Sequence, residues 1–467
     1  MRRTASSAPA AVDVPYRPRW HRVSARASGI RFQPHCKECC MPRFRNRKPY
    51  RRWLGCLFAT LLCVAPAPPL AAHEGRPPWS ATWFAAQQDY GVTFPDNIVP
   101  PPPPVTLADQ TVRMTVRLSR GGETLRVRFS NRFGKAPVTL EDLRIAPSMG
   151  ADGVVLHKQR SLRFSGAARL TLAPGEERWS DRINLHVADQ TELSVSLYVM
   201  APTPVVTTHS VGLQTNYRAP GNQVGAALLR SADPMRAYYW LDAIDVAGNQ
   251  PSAVPAAGGK PVVMVAFGDS ITDGAGSTVD RNFRWPNLLD DRVRSAGLRK
   301  VSVVNGGIAG NRWLHDGVGP AGVSRFGHDV LAVSGASHAV LLLGINDIGI
   351  GQLHPPQAVS AAQLIDALRT SVQRARQRGI RVMLGTLLPY GGSGYFDAAG
   401  ETKRQAVNDW IRAAQGVDGV IDFDRIMRDP QRPTHLLPSY DSGDHLHPSD
   451  AGYAAMADAF PIRWLQH

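Results

Sequence analysis

Ser270 stands in Gly268-Asp269-Ser270-Ile271-Thr272-Asp273-Gly274, a run of small, turn-forming residues that follows a short apolar segment. A serine in that setting is exposed at the end of a strand, although Asp, Ser and Thr serve equally well as a turn and helix cap. Its hydroxyl is a weak nucleophile at neutral pH and needs a base within hydrogen-bond reach, a task suited to an imidazole. Two imidazoles with two carboxylates occur in Asp441-Ser442-Gly443-Asp444-His445-Leu446-His447-Pro448. Two further segments offer donors. In Asn305-Gly306-Gly307-Ile308-Ala309-Gly310-Asn311-Arg312 the glycines let backbone N–H groups approach a ligand closely, and Gly344-Ile345-Asn346-Asp347 supplies a side-chain amide. Nucleophile, base, carboxylate and donors for a developing negative charge are the parts of acyl transfer. The Gly-x-Ser-x-Gly elbow is not among them, because Thr272 occupies the final glycine position.

These segments need a scaffold that brings them to one edge. Val262 to Phe267, Val301 to Val304, Ala339 to Leu343, Val382 to Thr386 and Val420 to Phe423 are short apolar runs of the kind found in buried parallel strands. Helical patterns lie between them: Trp285, Leu288, Leu289 and Val293 share one face, as do Leu364, Leu368, Val372 and Ala375. Five such units predict a three-layer α/β/α domain with a parallel sheet, its functional residues at the carboxyl ends of the strands. Before residue 250 the pattern is different. Val112, Met114, Val116 and Leu118 alternate with Thr111, Arg113, Thr115 and Arg117, and Leu125, Val127 and Phe129 repeat this after Gly121-Gly122. That reads as a hairpin with one wet face, and similar runs up to Val246 predict an antiparallel β-sandwich or jelly roll.

The ordered set of four segments, each after an expected strand, resembles the SGNH/GDSL hydrolase superfamily over roughly residues 261–467. The resemblance implies a flavodoxin-like SGNH domain in which Ser270 is the nucleophile and Asp444 and His447 complete a triad. It also implies an oxyanion hole built from the Ser270 backbone N–H, Gly310 and Asn346. The residues agree with that assignment: Asp444 lies three positions before His447 and can hold its second ring nitrogen, whereas Asp444 and His445 point apart on extended chain. Ser130-Asn131-Arg132-Phe133-Gly134 and Thr208-His209 resemble the N-terminal region of secreted two-domain SGNH esterases similar to xylan esterases. The two resemblances together imply an exported serine esterase acting on an acylated polysaccharide or small ester, with O-acetyl groups on a polysaccharide as the expected substrate. A lipase or short-acyl esterase would use the same triad. A rival of another class is a non-catalytic glycan-binding protein.

Some residues have two readings. Trp285 and Trp313 can line an acyl or sugar pocket or fill a core. Arg312 can reach a substrate oxygen or remain a solvated charge. Tyr395 ends Gly391-Gly392-Ser393-Gly394-Tyr395, which has the composition of an active-site loop or of a passive turn. Asp422 and Asp424 flank Phe423 with no third ligand at matching spacing, and His35-Cys36 with Cys39 and Cys40 lacks a second ligand pair. No metal and no cofactor are expected.

The 467 residues, 43% hydrophobic, carry a formal charge of +15, which invites a nucleic-acid reading until the charge is located. Residues 1–72 hold fourteen Lys and Arg against Asp13 and Glu38, so the chain from His73 onward is only +3. All five cysteines also precede residue 73. Nucleic acid is therefore not an expected partner. Met41 opens a basic stretch, an apolar run Trp53 to Val64 and a small-residue end at Leu70-Ala71-Ala72, the pattern of an export signal. The apolar run is too short for a stable membrane anchor, and a secreted or periplasmic location is expected. The expected organisation is an extension and signal over 1–72 with the true start at Met41, a proline-rich lead over 73–107, and a β-domain over 108–250. A linker over 251–260 and the hydrolase domain over 261–467 complete it. Pro100 to Pro104 marks a stiff spacer; the pattern sets no oligomeric state.

Overall fold

Five of the short apolar runs become a parallel sheet. In a computed structural model describing residues 79–92, 102–247 and 260–466, the strands are Val262–Gly268, Val301–Gly307, Ala336–Leu342, Arg381–Gly385 and Gly419–Ile421. The first strand lies between the second and third, giving the order 2-1-3-4-5. The chain leaves the first strand toward one edge and the second toward the other, so a crevice opens at the carboxyl ends of the adjacent first and third strands, where Ser270 follows the first. Val262–Gly268 and the Ala339–Leu342 part of its neighbour are continuously apolar because both faces are covered. Helix Trp285–Ser295 packs with Phe423–Met427 and Asp450–Ala459, while Ile345–Leu353, Ala361–Gln377 and Ala398–Arg412 form a separate group. The long helix Ala361–Gln377 begins on a capping box between Ser360 and Gln363 and buries Leu364, Leu368, Val372 and Ala375. No helix among the described residues is long and apolar enough to cross a membrane.

The earlier part of the chain forms two antiparallel sheets that share one core. One orders Ser80–Phe84, Leu241–Ala247, Gly122–Ser130 and Ile183–Val187; the other is built around Asn216–Pro220, Gln110–Arg117, Glu192–Val199 and Val138–Pro147. Val112, Met114 and Val116 from one meet Leu125, Val127 and Phe129 from the other. The expected hairpin between these two runs is not formed, since each strand pairs in a different sheet and the Gly121-Gly122 turn carries the chain across the sandwich. Nor is the alternate face wet. Thr111, Arg113 and Thr115 are buried, with the Arg113 guanidinium donating to Ser196 Oγ (2.9 Å), the Asp152 carbonyl (2.5 Å) and the Ala226 carbonyl (2.8 Å). Loops folded over the sheet supply the acceptors that offset the cost of this burial.

Ser80–Phe84, inside the segment read as a proline-rich lead, is an edge strand on Leu241–Ala247 whose Ala81 and Phe84 join the core of the parallel sheet. Ser119 links the two regions again, donating to Asp290 (2.7 Å) and accepting from the Val303 N–H (2.8 Å). The described residues thus belong to one compact unit, Glu74–His467. Pro102 to Pro104 are exposed. The expected leader, the Met41 start, the cysteines, Pro100 and Pro101, and all of the expected linker but Lys260 lie outside the described residues.

Candidate active site

Ser270 opens a single helical turn, Ser270–Asp273, directly beyond the first parallel strand. Asp269 caps that turn by accepting the Ile271 N–H at 3.1 Å, and Gly274 closes it in the left-handed region. The Ser270 hydroxyl lies 2.8 Å from His447 Nε2, and His447 Nδ1 lies 2.6 Å from Asp444 Oδ2. The other Asp444 oxygen accepts the backbone N–H groups of Leu446 (3.0 Å) and His447 (2.8 Å), so the carboxylate shapes the turn that carries the histidine. Burial works against the Asp444 charge, but the His447 ring and these N–H groups outweigh it and hold the carboxyl well below the usual range. Facing a carboxylate, Nδ1 carries the proton, which leaves Nε2 free to accept one from Ser270. Asp269, buried beneath the turn, is pushed up to about 7; desolvation is the main cause, partly offset by the Ile271 N–H and the His447 ring. His445 points elsewhere: its Nδ1 is 2.5 Å from Asp441 Oδ2, and its ring lies against Gly392.

The loop after the second strand packs directly on the serine turn. A Cβ on Gly307 would sit 2.4 Å from the Asp273 backbone nitrogen, so only glycine allows this approach. Gly310 adopts φ +80°, which a side chain would strain, and the chain turns there into Asn311. Asn346, in the first turn of Ile345–Leu353, donates from Nδ2 to the Asn311 carbonyl at 3.0 Å. Its neighbour Asp347 accepts the Trp313 (2.7 Å) and Leu314 (3.1 Å) N–H groups and is pushed up to about 6, chiefly by burial. Two segments that the sequence keeps apart are thereby locked to one another beside Ser270. A hydroxyl, imidazole and carboxylate in series, with amide donors nearby, can activate the hydroxyl toward an acyl carbon.

Residues 266–455 match the GDSL-like Lipase/Acylhydrolase family. This part of the chain is a GDSL-like acylhydrolase domain. It is an SGNH/GDSL-type serine ester hydrolase. Similar solved structures include a lipase/acylhydrolase from Enterococcus faecalis, 23% identical, covering 44% of this chain and 97% of that one with a TM-score of 0.35. Others are a GDSL-like lipase from Bacteroides thetaiotaomicron (21% identity, 42% and 84% coverage, TM-score 0.33) and an acetyl xylan esterase from Geobacillus stearothermophilus (22%, 44% and 94%, 0.35). No curated protein matches the chain.

Within the acylhydrolase domain the residues with two readings find definite places. Trp285 and Trp313 are fully buried core residues, the first against Phe423 and the second against Phe267 with its Nε1–H on the Leu343 carbonyl (2.8 Å). Arg312 is neither solvated nor at the surface. It is buried, donating to Gln357 Oε1 (2.6 Å) and to the Asp316 carbonyl, which braces the loop beyond Gly310. Tyr395 is 7% exposed and packs flat on Gly349; burial, then the nearby Asp269, pushes its phenol up. Asp422 and Asp424 are engaged by Arg412 and Arg404.

Sequence patterns give no sign of Arg325. Fully buried, it donates to the carbonyls of Gly268 (2.7 Å) and Gly306 (2.8 Å), to Asn311 Oδ1 (2.9 Å) and to Asp329 (2.9 Å), tying the serine strand to the glycine loop. From Asp329 the chain of charges continues through His328 (2.6 Å) to Glu177 (2.9 Å) in the antiparallel region, where Arg128 pairs with Asp242. Glu177, Asp242 and His328 bring ligand-type atoms within 4.8 Å of one another. Those atoms are already occupied: both His328 nitrogens face carboxylates, so the ring is a cation, and Arg128 fills the remaining positions. Burial opposes the charge on His328, but Asp329 and Glu177 prevail and raise it to about 9. A folded value above the unfolded one of about 6.5 means stability that is full below pH 6.5 and lost as pH rises through 9. Thermal melts of the wild type are therefore expected to fall in Tm between pH 7 and 9, and His328→Gln to flatten that decline. Equal slopes for the two proteins would remove His328 from this role.

Proposed function

We propose that the protein hydrolyses carboxylic esters through an acyl-enzyme on Ser270, and that its natural substrate is an O-acetyl group on a polysaccharide. The observation that carries the reaction is the unbroken series from Ser270 Oγ through His447 to Asp444, at 2.8 and 2.6 Å. In this reading Ser270 attacks the acyl carbon as His447 Nε2 takes its proton, and Asp444 stabilises the resulting imidazolium. The carbonyl oxygen, now carrying negative charge, accepts hydrogen bonds from the Ser270 and Gly310 backbone N–H groups and from Asn346 Nδ2. One of the two Asn346 amide protons is held by Asn311, which aims the other. His447 then returns the proton to the departing alcohol. Water repeats the sequence, giving up a proton to His447, attacking the acyl-serine and releasing the acid and free Ser270.

Asn346→Ala removes both the donor and the bond to Asn311. Turnover of a small aryl ester is expected to fall on the order of 100- to 1,000-fold, with KM changed little. A variant turning over at the wild-type rate would exclude Asn346 from this role.

The polysaccharide substrate is supported by the leader pattern over residues 41–72, which implies secretion or export to a periplasm, and by the antiparallel region, which we read as a jelly-roll-like partner of the acylhydrolase domain. The test uses the chain from His73 with acetylated xylan, short and long aryl esters and phospholipid, beside Ser270→Ala. Acetate release from xylan that disappears in the variant is the expected result. Preference for long acyl chains or phospholipid would replace the substrate with a lipid. Sugar binding without turnover of any ester would make the protein a glycan-binding module.

A further inference from the structure

His209 lies in the antiparallel region on a short strand, Thr207–His209, and is 3% exposed. Its ring bridges two acceptors. Nδ1 is 2.9 Å from the Ala86 carbonyl oxygen and Nε2 is 3.0 Å from Asp273 Oδ1. A carbonyl oxygen only accepts, and so does the Asp273 carboxylate in its ionised form, whose second oxygen takes the Ala309 N–H at 3.0 Å. Both ring nitrogens must therefore carry protons, which makes His209 a buried imidazolium paired with a buried carboxylate. Asp273 is the last residue of the turn that Ser270 opens, and Ala309 immediately precedes Gly310. One carboxylate thus fastens the serine turn to the glycine loop, and a residue from outside the acylhydrolase domain fixes that carboxylate.

We propose that His209 is a positioning residue for hydrolysis, acting through Asp273 and the Ala309 N–H to hold the loop so that the next N–H, that of Gly310, meets the developing oxyanion. The inference rests on the Ser270 acyl-enzyme reading and gives the antiparallel region a part in catalysis without contact to the substrate. The surroundings agree with a charged ring. Burial disfavours it, but Asp273 and then the Ala86 carbonyl favour it, and the balance raises its pKa above the ordinary value despite the opposing charge of Arg284. The other titratable group against the ring is Tyr238, on the paired strand, whose ring centroid is 6.2 Å away. Its phenol is itself pushed up by burial and stays neutral.

A mere packing role would alter stability alone, whereas positioning of the oxyanion loop alters the transition state. In His209→Gln, kcat on a small aryl ester is expected to fall about 10- to 100-fold with KM within about twofold, as for a displacement of order 1 Å at a reacting centre. Affinity for a phenylboronic acid, which loads the oxyanion site on binding serine, should fall by the same factor. Asp273 supplies the second variant pair. In Asp273→Ala the Ala309 N–H loses its acceptor, and a comparable loss is expected. In Asp273→Asn the amide oxygen can keep the Ala309 N–H, while its NH2 donates to a neutral His209 that still bonds Ala86, so about tenfold of that loss should return. Folded His209→Gln with wild-type kcat and boronate affinity would overturn the inference. Should His209→Gln fail to fold, equal kcat for Asp273→Ala and Asp273→Asn would overturn it instead. Ser270→Ala on the same ester separates the two claims. Turnover retained there defeats the acyl-enzyme reading, while its loss alongside a fully active His209→Gln defeats only the role of His209.

Discussion

Ser270→Ala is expected to lower kcat on a small aryl ester on the order of 10⁵- to 10⁶-fold while the protein stays folded. The size of the loss reflects how the site is arranged. Without the hydroxyl there is no atom to form the acyl-enzyme, and His447, whose Nε2 sits 2.8 Å from that hydroxyl, has no proton to take. Residual rate would come from water activated by the same imidazole beside the preplaced donors, which alone gives modest acceleration. Folding should be spared because alanine suits a helical turn and the Asp269 cap on Ile271 remains. Progress curves at enzyme concentrations high enough to see single turnovers provide the measurement. A loss smaller than about tenfold would place the nucleophile elsewhere.

Asp444→Asn is expected to cost about 10⁴-fold in kcat with little change in KM. The reason lies in the tautomer. The Leu446 and His447 backbone N–H groups both need an acceptor at the Oδ1 position, so the asparagine oxygen turns to them and its NH2 faces His447 Nδ1. An NH2 donor there requires Nδ1 to be unprotonated, which moves the ring proton to Nε2. His447 then points a proton at Ser270 and cannot accept one. In the wild type the Asp444 carboxyl, held well below the usual range, stays ionised across ordinary pH. Its contribution to stability is likewise present above its unfolded value of about 3.9 and lost only on strong acidification. An Asp444→Asn enzyme within tenfold of wild type would show that the carboxylate does not set the tautomer.

Local pattern makes part of this fold readable and leaves another part hidden. Val262–Gly268 and Ala339–Leu342 stand out as uninterrupted apolar runs because both faces of the sheet are covered, and Ala361–Gln377 announces itself through its capping box and buried face. Ser270, Asp444 and His447 can be read as one group only because their blocks come after strands that share an edge. The hidden part depends on partners distant in sequence. The strands Gln110–Arg117 and Gly122–Ser130 look like a hairpin, but their real partners are Glu192–Val199 and Leu241–Ala247. Arg113, Arg312 and Arg325 look like surface charges, yet each is buried where carbonyls and side chains from other segments satisfy it. His209 and Asp273 are 64 residues apart, and no spacing rule connects them.

The acyl-enzyme claim is tested most directly by covalent capture of the nucleophile. The chain from His73 is treated with a fluorophosphonate, and the modified peptide is identified by mass spectrometry while residual esterase activity is tracked. One phosphonyl group per chain on Ser270 is expected, appearing in step with loss of activity. Complete inactivation with the label on another residue, or full activity with Ser270 labelled, would contradict it.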